Sequence, residues 1–91
     1  MIRSFRHKGL ARYLNDADPS GLAPELVTRI GVRLRALHAA TKPEDLNIPC
    51  FDFHNLKGKP KRYTVHVNGP FCITFEWEDG AAWRVHLENY H

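Results

Sequence analysis

Three segments in the second half of the chain alternate apolar and polar residues with a period of two. They span residues 62–67, 71–77 and 83–88. Their apolar positions are Tyr63, Val65 and Val67, then Phe71, Ile73, Phe75 and Trp77, then Trp83, Val85 and Leu87. β-Branched and aromatic residues at this period are typical of half-buried strands. Turn-forming sequences at 68–70 and 78–80 separate the segments, so the pattern predicts an antiparallel meander with one apolar and one polar face.

The alternation also predicts the strand register, because a slip of one residue would turn the apolar set towards water. Val67 opposite Phe71, and Trp77 opposite Trp83, keep the apolar positions together. The polar face then pairs His66 with Cys72, Thr64 with Thr74, Arg62 with Glu76, Cys72 with Glu88, Thr74 with His86 and Glu76 with Arg84. We expect such a face to meet water or a ligand.

The first half of the chain predicts a short strand followed by two helices. Residues 2–5 read as the strand. His7–Asn15 reads as a helix with Leu10, Tyr13 and Leu14 on one face, although Gly9 weakens it. A second helix is expected from Pro24 to near Ala40. Its apolar stripe is Leu26, Ile30, Leu34 and Leu37, and we expect Arg29, Arg33 and Arg35 to lie on a solvated face.

Residues 41–56 are expected to be mostly loop. The resulting order of strand, helix, helix and meander predicts an α+β fold of two layers, with the helices covering the apolar side of the sheet.

Composition narrows the class of protein without identifying it. The 91 residues, expected to form one domain over 1–91, carry a formal net charge of +3 and a sequence pI of about 9.1, which suits a phosphate-rich partner. Residues 1–8 contain no apolar signal-peptide core, and no apolar run reaches transmembrane length, so we expect a cytoplasmic protein with no membrane partner. Cys50 and Cys72 match no metal-ligand spacing and are expected to be reduced; a single disulfide is the alternative.

A basic run follows His54 directly before the first strand of the meander. Lys57, Lys59, Lys61 and Arg62 could follow an RNA backbone, while the alternative is a solvated loop that protects a sheet edge from aggregation. His54 favours a site, because histidine exchanges protons near neutral pH.

Two further groups of polar residues lie on the meander. The chain ends in Glu88-Asn89-Tyr90-His91, and by strand parity Tyr90 would lie on the polar face, where an aromatic ring suits stacking on an RNA base. Zinc binding by His66, Cys72 and Glu88 is conceivable from the register but has no independent support. His86 is expected to be a surface residue.

Several stretches taken together resemble a known family. They are Met1 to Leu10 (MIRSFRHKGL), HNLKG at 54–58, ITF at 73–75, EDG at 78–80 and ENYH at 88–91. In this order they resemble the HigB-type toxins of the RelE/ParE superfamily, which belong to bacterial type II toxin–antitoxin systems. The likeness covers nearly the whole chain, and the opening decamer with the terminal Tyr-His is its most specific part.

The resemblance implies a RelE/ParE-like fold and a ribosome-dependent mRNA endonuclease. It also implies neutralisation by a HigA-like antitoxin with a helix-turn-helix domain, through which the complex binds operator DNA. The active-site His and Lys of the family map onto His54 and Lys57. Its C-terminal acidic residue, Tyr and His map onto Asn89, Tyr90 and His91.

The chain departs from the family at two places: Asn89 stands where the family has an acidic residue, and the other departure concerns the phosphate. The family commonly has Asn-Trp-Arg where this chain has Pro70-Phe71-Cys72, and cysteine cannot replace a guanidinium as a paired donor. The expected activity is therefore weakened, dependent on another cation or absent, and a subfamily with a different target is a further alternative.

The expected mechanism is attack of a ribose 2′-hydroxyl on the adjacent phosphate, with no metal or cofactor. His54, Lys57, Tyr90 and His91 are the predicted catalytic residues. RNA contacts are predicted for Lys59, Lys61, Arg62, Arg84 and Asn89. The alternative is a growth inhibitor without catalysis on the same fold, like the ParE-type relatives that act on DNA gyrase.

Overall fold

The computed structural model describes residues 1–89, so Tyr90 and His91 lie outside the described part of the chain. Two helices, α1 (Lys8–Asp16) and α2 (Val27–Ala39), precede a four-stranded antiparallel sheet. Its strands are β1 (His54–Leu56), β2 (Arg62–Asn68), β3 (Phe71–Glu78) and β4 (Ala81–Asn89), in the order β1-β2-β3-β4. Short 3-10 turns at Pro24–Leu26 and Pro43–Leu46 flank α2. The predicted α+β fold with a meander is confirmed, and β1 is a strand that the sequence pattern had assigned to a loop.

Helix α1 begins one residue later than predicted, because His7 caps it. The His7 Nδ1 atom accepts a hydrogen bond from the Leu10 amide at 3.2 Å and so satisfies one of the free donors of the first turn. Gly9, which weakened the prediction, is buried against the following loop. A β-carbon there would lie 2.7 Å from the Gly21 carbonyl oxygen, so this close approach requires glycine.

Helix α2 covers the apolar face of the sheet with the predicted stripe. Leu26, Ile30, Leu34 and Leu37 are buried in one cluster with Leu10 of α1 and with Val65, Val67, Ile73, Phe75 and Val85 of the sheet. Each such side chain contributes about 1.5–3 kcal/mol through removal of apolar area from water. Within residues 1–89, no helix has the length and apolar character needed to cross a membrane.

The N-terminal segment lies beside β4 but does not form the predicted strand. It forms two isolated parallel bridges, Ile2 with Ala82 and Phe5 with Val85, instead of a strand. The Arg3 amide donates to the Ala82 carbonyl at 2.7 Å. The segment therefore lies along the outer edge of β4, and the opposite edge of the sheet is β1, which carries His54.

The register is confirmed in the middle of the sheet and wrong near the ends. His66–Cys72, Thr64–Thr74, Arg62–Glu76, Cys72–Glu88 and Thr74–His86 are paired as predicted. A bulge between His66 and Asn68 pairs Phe71 with Asn68 instead of Val67. A second irregularity, between Thr74 and Glu76, pairs Trp77 with Ala82 and Glu76 with Trp83. A bulge adds one extra residue to a strand, and the alternation of apolar and polar residues does not predict where such a residue lies.

The second bulge changes which residues of β4 enter the core. Ala82 is buried there, whereas Trp83 is half-buried and its indole donates to the Glu78 carbonyl at 2.9 Å. Arg84 has a left-handed backbone with φ 51°. It still reaches Glu76, although it is no longer the cross-strand partner of that residue.

Candidate active site

One row of side chains crosses all four strands on the polar face of the sheet. The register joins His54 of β1 to Thr64 of β2, Thr64 to Thr74 of β3, and Thr74 to His86 of β4. His54 is exposed at the edge, whereas Thr64 and Thr74 are each only 1% exposed. The polar face was expected to meet water or a ligand, and the structure shows that its centre is buried.

His54 is held with one ring nitrogen engaged and the other free. Its Nδ1 atom lies 2.9 Å from the Asp52 carbonyl oxygen. A carbonyl oxygen can only accept, so Nδ1 carries the proton and donates. In the neutral ring Nε2 is then an unprotonated acceptor, and because His54 is exposed this nitrogen can take a proton from a substrate.

Arg33 of α2 anchors the loop that leads to His54. Its guanidinium donates to three carbonyl oxygens: Nε to His66 at 2.6 Å, Nη1 to Arg29 at 3.1 Å and Nη2 to Cys50 at 3.0 Å. Arg33 is 7% exposed, so its expected place on a solvated helix face was wrong. The physical reason is that the loop carbonyl at Cys50 and the strand carbonyl at His66 both need donors where they pack on α2.

The same loop is held by a second set of contacts. The Arg33 guanidinium carbon lies 4.6 Å from the centre of the buried Phe51 ring, and the Phe51 carbonyl accepts from the His66 amide at 2.6 Å. Cys50 and Asp52, on either side, have left-handed backbones with φ 74° and φ 48°, which non-glycine residues adopt at a cost. These contacts fix the chain at Phe51, three residues before His54.

The charge of Arg33 is retained despite its burial. Burial lowers the pKa of Arg33, and the neighbouring charge of Arg29 lowers it further. A guanidinium nevertheless titrates far above neutral pH, so Arg33 remains charged. Three carbonyl dipoles therefore surround a permanent cation where α2 meets β2 and the loop before His54.

The basic run after His54 divides into two groups. Lys57, Lys59 and Lys61 are exposed, and none lies within salt-bridge distance of a carboxylate in residues 1–89. The Lys61 ammonium lies 5.4 Å from the centre of the Tyr63 ring. These lysines lie between β1 and β2, so this end of the sheet carries exposed positive charge of the kind that attracts a phosphate backbone.

The two arginines with predicted RNA contacts are both ion-paired. Arg62 Nη1 lies 3.0 Å from Glu88 Oε2, and Arg84 Nε lies 3.1 Å from Glu76 Oε2. The same Glu88 oxygen accepts a short hydrogen bond from the Thr74 hydroxyl. From the sequence, Glu88 was considered only as a zinc ligand and Thr74 was not a candidate, because their meeting with Arg62 depends on three adjacent strands.

Cys72 lies half-buried between His66 and Glu88 in the register, with a free thiol. His66 is engaged elsewhere, since its Nε2 atom donates to the Gly69 carbonyl at 2.9 Å. Among residues 1–89, no three His, Cys, Asp or Glu side chains are grouped so that they could hold a metal ion. The zinc arrangement considered from the sequence therefore has no support in the described residues.

Three other histidines have structural surroundings that the sequence did not reveal. His38 Nδ1 accepts from the Ile2 amide at 3.2 Å, and the ring centres of His7 and His86 are 5.8 Å apart. Burial lowers the pKa of His7, and the charge of His86 adds to this effect. His86 is half-buried with its Nδ1 atom enclosed, which corrects its expected surface position.

The C-terminal group is described only in part. Asn89 is exposed at the end of β4 and pairs with Phe71 in the register. The expected roles of Tyr90 and His91 fall outside the described residues and stay predictions.

Comparison with known proteins identifies the family. A family model described as "RelE-like toxin of type II toxin-antitoxin system HigB" matches residues 3–91. The chain is 37% identical over 92 residues to Endoribonuclease HigB of Proteus vulgaris, covering 100% of both proteins. It is 31% identical over 91 residues to Toxin HigB-1 of Vibrio cholerae, covering 97% of this chain and 96% of the relative. The resemblance drawn from the short motifs is thereby confirmed, and the chain belongs to the HigB-like family of RelE-like toxins of type II toxin–antitoxin systems.

Proposed function

We propose that this toxin is an endoribonuclease that cleaves mRNA on the ribosome. The observation that carries the proposal is the exposed His54 ring, which keeps Nδ1 on the Asp52 carbonyl and leaves Nε2 free. Lys57 follows three residues later at the same open edge of the sheet. The full-length relative from Proteus vulgaris bears the name of an endoribonuclease, which supports the same activity.

The proposed reaction uses the RNA's own 2′-hydroxyl as nucleophile. His54 Nε2 takes the 2′-proton while the 2′-oxygen forms a bond to phosphorus. The bond from phosphorus to the 5′-oxygen breaks, and the leaving oxygen takes a proton from a general acid, for which His91 is the candidate by family resemblance. The products are a 2′,3′-cyclic phosphate and a 5′-hydroxyl. Proton transfer by a placed side chain contributes typically 10²–10⁴-fold in rate.

Cations at the edge of the sheet would balance the charge that grows on the phosphate. We assign this role first to Lys57, because its spacing from His54 matches the family motif. Lys59, Lys61 and Asn89 would hold the RNA on either side. Tyr90 would stack on or orient a base, as its family counterpart implies.

A protein antitoxin partner follows from membership of a type II system. We propose that this partner is a HigA-like protein with a helix-turn-helix domain, and that the toxin reaches operator DNA only within that complex. The net charge of +3 suits binding to a ribosome, whose surface is rich in phosphate. Such a toxin acts in the cytoplasm.

The test is mapping of mRNA cleavage by the purified toxin in a defined translation system, with and without ribosomes. We expect cyclic-phosphate ends that appear only with ribosomes and that disappear in His54→Ala. A suitable control is His38→Gln, which changes an exposed histidine on α2, away from the polar face. Cleavage by His54→Ala at the normal rate would refute the mechanism, and the absence of cleavage by the unaltered toxin would refute the function.

A further inference from the structure

Arg62, Thr74 and Glu88 meet at one carboxylate oxygen on the polar face. Arg62 on β2 lies two residues along its strand from Thr64, so its side chain must run along the strand to reach Glu88 on β4. The Thr74 hydroxyl donates to the same oxygen, Oε2, from β3 between them. Thr74 is 1% exposed, so its hydroxyl is packed in place where it supports the carboxylate.

This meeting point places the guanidinium over the row that begins with His54. Thr74 belongs to that row, two strands away from His54. Neighbouring strands are about 4.8 Å apart, so the His54 and Thr74 backbones are separated by about 10 Å. The His54 ring at the edge and the Arg62 guanidinium above Thr74 are therefore directed to the same part of the polar face.

Arg62 retains donors for such a phosphate. Within residues 1–89 its side chain makes one hydrogen bond, from Nη1 to Glu88. The edge formed by Nε and Nη2 is therefore left for another acceptor, and this edge has the geometry for paired bonds to two phosphate oxygens. The side chain is 33% exposed, so a ligand can reach it.

Arg84 uses its guanidinium differently from Arg62. It binds Glu76 through Nε, so its Nε–Nη2 edge is already engaged. It also lies on the β4 bulge, with a left-handed backbone and no pairing in the His54 row.

We propose that Arg62 is the phosphate-contacting cation that compensates for Cys72, and that Glu88 is its positioning residue. This inference rests on the proposed function. Cys72 is the cross-strand neighbour of Glu88 and supplies no positive charge to it. The Glu88 carboxylate is consequently left to Arg62, which brings a guanidinium from the opposite side of the same row. Thr74 holds the carboxylate so that the Nε–Nη2 edge of Arg62 points away from Glu88.

The experiment measures kcat and KM for mRNA cleavage in the ribosome-containing system for several variants of the full chain. We expect Arg62→Gln to lower kcat about a hundredfold with little change in KM, because the contact strengthens as charge builds on the phosphate. Arg62→Lys should recover only a small part, since an ammonium cannot form paired bonds. The matched control is Arg29→Gln, which alters an exposed arginine on α2.

The positioning role of Glu88 is tested by comparing two substitutions. Glu88→Ala should lower kcat about tenfold, whereas Glu88→Gln should recover most of it, because the amide oxygen still accepts from Arg62 and Thr74. If Glu88 had only a structural role, both substitutions would instead lower the melting temperature and kcat in parallel. Glu44→Gln, at an exposed position in the 3-10 turn after α2, controls for loss of a negative charge.

A rescue variant keeps the inference testable if Arg62→Gln folds poorly. Cys72→Arg places a guanidinium beside Glu88 and should restore cleavage to Arg62→Gln by at least tenfold. The control results are cleavage by the unaltered toxin and loss of cleavage in His54→Ala. If both are seen and Arg62→Gln still has an undiminished kcat, this inference alone is overturned. No cleavage by the unaltered toxin would overturn the proposed function and this inference with it.

Discussion

Replacement of Arg33 by methionine is expected to destabilise the fold and disturb the active-site loop together. Methionine keeps much of the unbranched apolar stem but removes all three donors to the carbonyls of His66, Arg29 and Cys50. Because Arg33 is 7% exposed, water reaches these carbonyls poorly after the change. The Cys50 carbonyl belongs to the loop that leads to His54, so its release affects the site as well as the stability.

The magnitude follows from the bonds that are lost. A hydrogen bond to a charged group is worth about 1.5–3 kcal/mol, and three of them would sum to about 4.5–9 kcal/mol. Methionine also removes the cost of burying a guanidinium, and the Arg29 carbonyl keeps its helical surroundings. We therefore expect a net loss of about 3 kcal/mol, comparable to removal of one partner from a buried charged contact. For a domain of this size, this corresponds to a fall in melting temperature of about 12–24 °C.

The assay is urea unfolding followed by circular dichroism, with cleavage measured separately at a temperature where the variant is folded. Arg29→Met on the same helix is the control, since Arg29 is exposed and its side chain should contribute less than 0.5 kcal/mol. We expect Arg33→Met to lower kcat even when folded, through movement of the loop before His54. Equal stability of the Arg33 and Arg29 variants would refute the reasoning.

Three further predictions concern separate parts of the molecule. Lys57→Ala should lower kcat about a hundredfold, which corresponds to roughly 3 kcal/mol of transition-state stabilisation, whereas Lys59→Ala should change kcat less than tenfold. Equal effects of the two substitutions in the cleavage assay would indicate a diffuse positive surface instead. Thr64→Val should leave the free energy of unfolding in urea unchanged or raise it by about 1 kcal/mol, because the buried Thr64 hydroxyl has no hydrogen-bond partner in residues 1–89. Thr74→Val should lower it by about 1–2 kcal/mol, because the hydrogen bond to the Glu88 carboxylate is lost. In the folded state the pKa of His7 lies below its ordinary value of 6.5, so near that pH the unfolded chain binds more protons than the folded one. The free energy of unfolding should therefore fall as the pH decreases from about 7 to below 6.5. His7→Asn keeps an oxygen acceptor at the helix cap but does not titrate, and an unchanged pH dependence of unfolding between pH 7 and 5.5 in this variant would contradict the assignment.

Much of the fold could be predicted from the sequence, because local periodicity reports local burial. The alternation through Tyr63–Val67 and Phe71–Trp77 identified two strands, and the Leu26–Leu37 stripe identified the covering helix. The pairing of Thr64 with Thr74 followed from keeping one face apolar. The motif of His54 and Lys57 likewise pointed to the candidate site, although the sequence placed His54 in a loop and not on the edge strand β1.

The interactions around that site depended on tertiary structure, because they join residues that are distant along the chain. The helical spacing of Arg33 predicts a position on a solvated face. In the structure Arg33 is buried, because carbonyls of a loop and a strand need donors there. The contact between Arg62 and Glu88 spans 26 residues and depends on the intervening Thr74. The bulge in β4 moves Trp83 out of the core. Sequence periodicity records which side of an element is buried, whereas the identity of each polar partner is decided by how the elements meet.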